Sequence, residues 1–185
     1  MLKDINYSSH SLYRLLENLL TWTKTNWDGV EPDSKPVLIQ TIIENNLDIY
    51  RVPIGEKNIQ IEKVGDGNIS IDADIDMLNT LFRNLFSNAL GHTVRNGALS
   101  IQWAPLDRGL IQFKVINTGP SIKQSIADEI SNGDPFDPKR QRISKGLGLR
   151  LAKAISNLNH WNFNIRPIPE GTCVSFEVPK TDGSL

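Results

Sequence analysis

The sequence predicts an α/β protein. We expect a two-layer α/β sandwich, in which a mixed, mostly antiparallel sheet carries helices on one face, preceded by a long N-terminal helix. Two observations lead to this class. Segments with apolar residues at helical spacing are interleaved with segments that alternate apolar and polar residues at period two. The 185 residues also suffice for one well-buried core and an additional element. Interleaved helices and strands pack as layers around such a core.

The first element is a long helix predicted over residues 2–27. Its apolar residues recur near heptad positions, with Ile5, Leu12 and Leu19 spaced by seven. A stripe of this kind needs a partner, because it would otherwise leave several leucines in water. A homodimer through this helix is one solution. The alternative is a helix that packs back on its own domain.

A linker that contains Gly29 and Pro32 follows this helix. We therefore expect two domains, a helical segment at 1–30 and a second domain at 31–185. The second domain begins with helical spacing over 37–51.

Pro53 is expected to end that first helix of the second domain, since proline disrupts a helix interior. Residues 58–64 and 68–72 then alternate apolar and polar side chains, with two glycines between the segments. This pattern predicts that the two segments pair as a β-hairpin.

The next predicted helix, at 75–94, is the one around which the domain is organised. Asp72 or Asp74 can cap its start, because a short side-chain oxygen accepts from the free amides there. Its apolar positions fall on one broad stripe: Leu78, Leu81, Phe82, Leu85, Phe86, Ala89 and Leu90.

A second stripe on the same helix is polar and consists of Asn84, Asn88 and His92, at spacing i, i+4, i+8. Asparagine is a mediocre helix former, because its amide competes with the backbone for hydrogen bonds. Two stacked asparagines therefore indicate carbonyl oxygens directed at a ligand, and Mg²⁺ favours such oxygens. The alternative is a solvated polar flank.

The rest of the chain continues the α/β alternation. The patterns predict strands at 99–104, 110–117, 162–167 and 172–178 and helices at 122–130 and 147–158. A polar loop with several basic residues lies between the two helices, at 131–146.

The composition excludes several classes of protein. A net charge of −1 with scattered basic residues argues against a nucleic-acid partner. A single cysteine, Cys173, excludes an intramolecular disulfide and suits a reducing cytosol. No apolar run approaches the ~20 residues that span a bilayer. We expect a cytoplasmic protein, or the cytosolic part of a membrane-bound sensor.

Four stretches resemble the motifs of the GHKL ATP-binding superfamily, and of sensor histidine kinases in particular. NLFSNALGHT is similar to the N box, VINTGPSI to the first glycine box, DPF to the phenylalanine box and SKGLGLRLAKAI to the second glycine box. They follow in the family's order. The resemblance implies the Bergerat fold and ATP with Mg²⁺ as cofactors. It also makes segment 1–30 the second helix of a dimerisation and phosphotransfer hairpin.

The resemblance also implies roles for individual residues. It makes Asn84 and Asn88 the catalytic pair, with Asn88 as the Mg²⁺ ligand. It assigns nucleotide binding to Asn88, His92, Asn117, Gly119, Arg142, Lys145, Gly146, Leu147, Gly148, Leu149 and Thr172. Glycines before a helix allow close approach to a phosphate, and the free amides at the helix start bind anions.

Four positions depart from the family pattern. Asn117 stands where the family has an aspartate that accepts a hydrogen bond from adenine, and Gly91 where it has a lysine. Ser121 and Ser144 replace glycines. An asparagine oxygen can accept the same bond from adenine, but the charge is lost. We expect this exchange to weaken binding by on the order of 1 kcal/mol.

Asn84 bears on the type of reaction. GHKL proteins that hydrolyse ATP carry a glutamate at this position as general base, and an amide has no basic capacity. We therefore expect transfer of the γ-phosphoryl group to a histidine that is not present in this chain, with a response regulator or receiver domain as partner. His10 is followed by Ser-Leu-Tyr-Arg and not by the family's acidic residue. The alternative is a degenerate GHKL domain with weak or no nucleotide binding, which acts as an interaction or phosphotransfer module.

Overall fold

The computed structural model describes residues 32–134 and 147–181. In chain order these residues form β1 (Lys35–Leu38), α1 (Ile39–Asp48), α2 (Arg51–Lys57), β2 (Gln60–Val64), β3 (Ser70–Ala73), α3 (Ile75–His92), β4 (Ala98–Leu106), a 3-10 turn (Asp107–Gly109), β5 (Leu110–Thr118), α4 (Gln124–Asn132), α5 (Leu147–Leu158), β6 (Asn162–Ile168) and β7 (Gly171–Pro179). The predicted helix at 2–27 lies outside the described residues. Among the described helices, none is long and apolar enough to cross a membrane.

Five of the strands form one mixed sheet in the order β2-β4-β5-β7-β6. β2 runs parallel to β4, whereas the other neighbours in this sheet are antiparallel. β1 and β3 form a separate antiparallel pair. α3 packs against α5, α1 and β5. The predicted two-layer α/β sandwich with a mixed sheet is therefore confirmed.

Helix α3 provides the centre of the core. Its start is capped by Asp74, whose Oδ1 accepts from the amides of Asp76, at 3.0 Å, and of the next residue, at 3.1 Å. The predicted apolar stripe is buried throughout. Phe82 packs edge-on against Phe113 of β5 and Phe176 of β7, with each pair of ring centroids 5.8 Å apart. Each fully buried side chain of this size contributes roughly 1.5–3 kcal/mol, so the apolar stripe fixes α3 on the sheet.

The predicted hairpin of 58–64 with 68–72 is wrong. β2 pairs with β4, and β3 pairs with β1. The glycine at position 65 makes room for a side chain from β4: a Cβ added at Gly65 would lie 2.3 Å from the indole of Trp103. The Nε1 of Trp103 also donates to the backbone oxygen of Asp66, at 2.7 Å. The segment between the two strands is therefore shaped by a residue distant in sequence.

The helix predicted at 37–51 is shorter than expected, because β1 occupies its first residues and α1 spans only Ile39–Asp48. Pro53 does not mark the end of helical structure. It lies in the first turn of the short helix α2, where its missing N–H has no intrahelical partner to lose.

Candidate functional site

The polar stripe of α3 meets the second glycine box at Asn84. The side chain is half-buried, and its Nδ2 donates to the backbone oxygen of Thr80 at 2.8 Å. A Cβ added at Gly148, in the first turn of α5, would lie 2.9 Å from Asn84 Oδ1. Real Cβ atoms do not come this close, so the glycine permits α5 to begin against Asn84. The sequence motifs around these two residues are thus in contact.

Asn88 lies one turn further along the same face of α3, and its side chain is also half-buried. Residues four apart on a helix are neighbours, so the two amides lie side by side. The Asn88 amide makes no hydrogen bond to the residues that the structure describes. It fits a Mg²⁺ ion that takes one oxygen from the protein and the others from phosphates and water.

Metal binding by acidic or imidazole clusters finds no support in the described ranges. Within 32–134 and 147–181 there is no group of three or more His, Cys, Asp or Glu side chains that could hold a metal ion.

The first glycine box packs against the other end of the stripe. His92 is the last residue of α3 and is exposed. Gly119 follows β5 with φ of +142°, a conformation that side chains disfavour. A Cβ added at Gly119 would lie 2.3 Å from the backbone oxygen of His92. The N–H of Gly119 donates to the backbone oxygen of Glu170, at 2.9 Å. Gly119 therefore lies between the end of α3 and the turn from β6 to β7.

Asn117 occupies the end of the buried face of β5. The other residues on this face, Ile111, Phe113 and Val115, are buried and apolar, and Asn117 itself is only 3% exposed. Its Nδ2 has a long contact of 3.4 Å to the oxygen of Thr118. A buried amide next to an apolar core needs partners, which suits a residue that receives the polar edge of a ligand.

Thr172 stands directly opposite Asn117 in the register of β5 and β7 and is also buried. Its Oγ1 accepts a hydrogen bond from the backbone N–H of Ile122, at 3.1 Å. Thr172 thus fixes the last residue of the first glycine box. Gly171 makes this arrangement possible, because a Cβ there would lie 1.7 Å from the oxygen of Asn117.

The second glycine box is described only in part. The predicted site residues Arg142, Lys145 and Gly146 lie outside the described residues. At the start of α5, Leu147 is exposed, whereas Leu149 is buried in the core. These two residues and Gly148 therefore belong to the helix start.

An ion pair joins the helices on both sides of the segment 135–146. Arg150 of α5 contacts Glu129 of α4; the Arg150 side chain is 12% exposed and the Glu129 side chain is 29% exposed. Charge-assisted pairs of this kind are stronger when they are shielded from water. The pair therefore joins α4 to α5, the two helices that flank residues 135–146 in the sequence.

Two contributors to the site carry no signal in the sequence pattern. Ser121 replaces a family glycine, and its hydroxyl donates to the backbone oxygen of Ile168 in β6. Lys57, at the end of α2, donates to backbone oxygens at the end of α3. Both contacts join residues more than thirty positions apart. Periodicity describes only local structure, so it cannot reveal them.

The fold and the site define a class: an α/β sandwich in which one glycine after β5 and one glycine in the first turn of α5 both pack against helix α3. The sequence profile of the histidine kinase-, DNA gyrase B- and HSP90-like ATPases matches residues 73–182. The chain belongs to this family.

Individual relatives agree with this assignment. The chain is 25% identical to the adaptive-response sensory kinase SasA of Rippkaea orientalis over an aligned length of 170 residues. The aligned residues make up 90% of this chain and 43% of the relative. The chain thus spans less than half the length of this curated relative.

Solved structures share the fold. Full-length ShkA in complex with AMPPNP superposes with a TM-score of 0.77 at 22% identity, covering 96% of this chain and 38% of that chain. The histidine kinase ThkA in complex with the response regulator protein TrrA gives a TM-score of 0.74 at 22% identity, covering 97% of this chain and 51% of that chain.

Proposed function

We propose that this chain is the ATP-binding catalytic part of a two-component sensor histidine kinase, with segment 1–30 as a helix of its dimerisation and phosphotransfer hairpin and 31–185 as the catalytic domain. One observation carries the proposal. α3 contacts Gly148 of the second glycine box through the side chain of Asn84, and it contacts Gly119 of the first glycine box through the backbone oxygen of His92. Two motifs that are far apart in sequence therefore both contact the helix that carries the N box.

In this proposal each part of the site has its own ligand group. Asn88 provides an oxygen to Mg²⁺, and His92 lies at the end of the same stripe. The start of α5 presents free amides to the phosphates, together with Arg142 and Lys145. Asn117 and Thr172, which are buried opposite each other, receive the adenine. When bound, Mg²⁺ neutralises charge that develops on the phosphates.

In this proposal the chain positions the reactants and provides no general base. Asn84 has an amide where hydrolysing relatives have a carboxylate, so it cannot take a proton from water. Transfer then requires a histidine on another segment. Its ring nitrogen attacks the γ-phosphorus, the bond to the bridging oxygen breaks, and ADP leaves with that electron pair. The site holds the two reactants in line.

The partners follow from the same proposal. A similar histidine kinase, ThkA, has been crystallised with a response regulator, and we propose that a response regulator or receiver domain accepts the phosphoryl group here. We further propose homodimerisation through the N-terminal helix and a location in the cytoplasm or on its side of a membrane.

A calorimetric titration with Mg-ATP tests the proposal most directly. We expect saturable binding that falls sharply when EDTA removes Mg²⁺. With γ-labelled ATP, we expect acid-labile label on a separately supplied acceptor helix and none on this chain alone. An absence of nucleotide binding would refute the proposal. Acid-labile label on the chain itself, abolished by His10→Ala, would instead identify His10 as the acceptor.

Restoring a family lysine should strengthen binding. A Cβ added at Gly91 meets nothing within 4 Å, so Gly91→Lys should fold normally and place a new ammonium near the phosphates. We expect a gain of about 1 kcal/mol, which is about fivefold in Mg-ATP affinity. Gly55→Lys is the matched control, because Gly55 is also helical, exposed and free of neighbours. Both variants gain helix propensity. An equal change in both affinities would contradict a phosphate contact at position 91.

A further inference from the structure

The ammonium group of Lys57 lies against the C-terminal end of α3. Its Nζ donates to the backbone oxygens of Leu90 at 2.7 Å, Thr93 at 3.0 Å and Gly91 at 3.4 Å. The last carbonyls of a helix lack intrahelical partners and carry partial negative charge. Lysines that satisfy such carbonyls usually belong to the last turn of the same helix. This lysine comes from the preceding helix, α2.

Further hydrogen bonds hold Lys57 in this position. Its own backbone oxygen accepts from the N–H of Asn96, at 2.9 Å. The side chains of Asn58 and Asn96 are joined by a 2.9 Å hydrogen bond, and Arg95 donates to the backbone oxygen of Glu56. The end of α2 and the segment after α3 are thus fixed to each other on both sides of the lysine.

The turn that Lys57 contacts is part of the candidate site. It carries His92, whose backbone oxygen is the atom on which Gly119 packs. Asn88 precedes it by one turn. A small displacement of this turn would therefore move the end of the polar stripe relative to the first glycine box.

We propose that Lys57 is a positioning residue of the nucleotide site. It holds the last turn of α3 in the place that His92 and Gly119 require, and it acts through the helix end and not by touching the nucleotide. This inference rests on the proposed nucleotide binding.

Lys57→Met and Lys57→Arg test the proposal. Methionine keeps the apolar stem but cannot donate, whereas arginine retains donors for the same carbonyls. We expect Lys57→Met to weaken Mg-ATP binding about tenfold, which is the usual effect of losing a residue that holds binding groups in place. Lys57→Arg should keep most of the wild-type affinity. Lys63→Met is the control, since Lys63 is an exposed lysine of β2 that pairs with Glu44. Its Mg-ATP affinity should equal that of the wild type.

A second measurement separates positioning from general loss of stability. In the nucleotide-free protein, well below its unfolding midpoint, the amide NMR signals of His92 and Gly119 should shift in Lys57→Met and remain near wild type in Lys57→Arg. Wild-type affinity in Lys57→Met would overturn the inference and leave the proposed function standing. Equal weakening in both variants with unmoved amide signals would also overturn it. If the wild type binds no nucleotide, the proposed function fails, and the amide signals still decide whether Lys57 sets the end of α3.

Discussion

Asn88→Ala should abolish Mg-dependent ATP binding while leaving the fold intact. The side chain lies on the polar face of α3 and makes no hydrogen bond to the described residues, so its removal breaks no hydrogen bond among them. Alanine is also the better helix former. If Asn88 supplies the protein's oxygen to Mg²⁺, the loss should be at least about a hundredfold in Mg-ATP affinity, because Mg²⁺ demands near-ideal coordination. Calorimetry with and without EDTA measures it.

Asn79→Ala provides the matched control on the same helix. Asn79 Oδ1 accepts a 2.7 Å hydrogen bond from Asn46, which is buried between α1 and α3. This variant should lose about 1 kcal/mol of stability and keep its affinity for Mg-ATP. The two variants therefore have opposite expected effects. Unchanged Mg-ATP affinity in Asn88→Ala would remove Asn88 from the metal site.

The local features of the fold were predictable because they depend on residues close in sequence. Helix α3, its cap at Asp74 and its buried apolar stripe follow from spacing alone. The same holds for β4 to β7, because the alternation predicted a strand at each of these places. In each case the residues that show the pattern also form the helix or strand that the pattern predicts.

Strand partners were not predictable in the same way. Alternation shows which side of a strand is buried, but it does not show which strand lies beside it. Residues 58–64 and 68–72 were therefore paired with each other, although β2 joins β4 and β3 joins β1. The packing of Trp103 on Gly65 depends on a residue almost forty positions away.

In the candidate site, too, some residues were predictable from sequence motifs and others were not. Motif order brought together Asn84, Gly148 and Gly119, and the structure places these residues in two contacts with α3. The contributions of Lys57 and Ser121 are hydrogen bonds to backbone oxygens. Such contacts place little demand on the identity of the accepting residue, so no motif records them.

The contact between Gly119 and α3 leads to the second large expected effect. Gly119→Ala should destabilise the domain by about 3 kcal/mol, because two costs coincide. The backbone has φ of +142°, and the new methyl group would lie 2.3 Å from the backbone oxygen of His92. A backbone atom in a packed helix cannot rotate away as a flexible side chain does. The end of α3 must shift, and Mg-ATP binding should weaken along with stability.

Gly109→Ala separates these two costs. Gly109 also has a positive φ, of +69°, but a Cβ there meets nothing within 4 Å. It should therefore lose only about 1 kcal/mol, which is the backbone cost of a left-handed residue, and keep its affinity. Chemical denaturation measures both stabilities, and titration with Mg-ATP measures both affinities. If Gly119→Ala were no less stable than Gly109→Ala, the first glycine box would not be packed against α3 as closely as the distance implies, and the convergence of motifs on that helix would lose one of its two contacts.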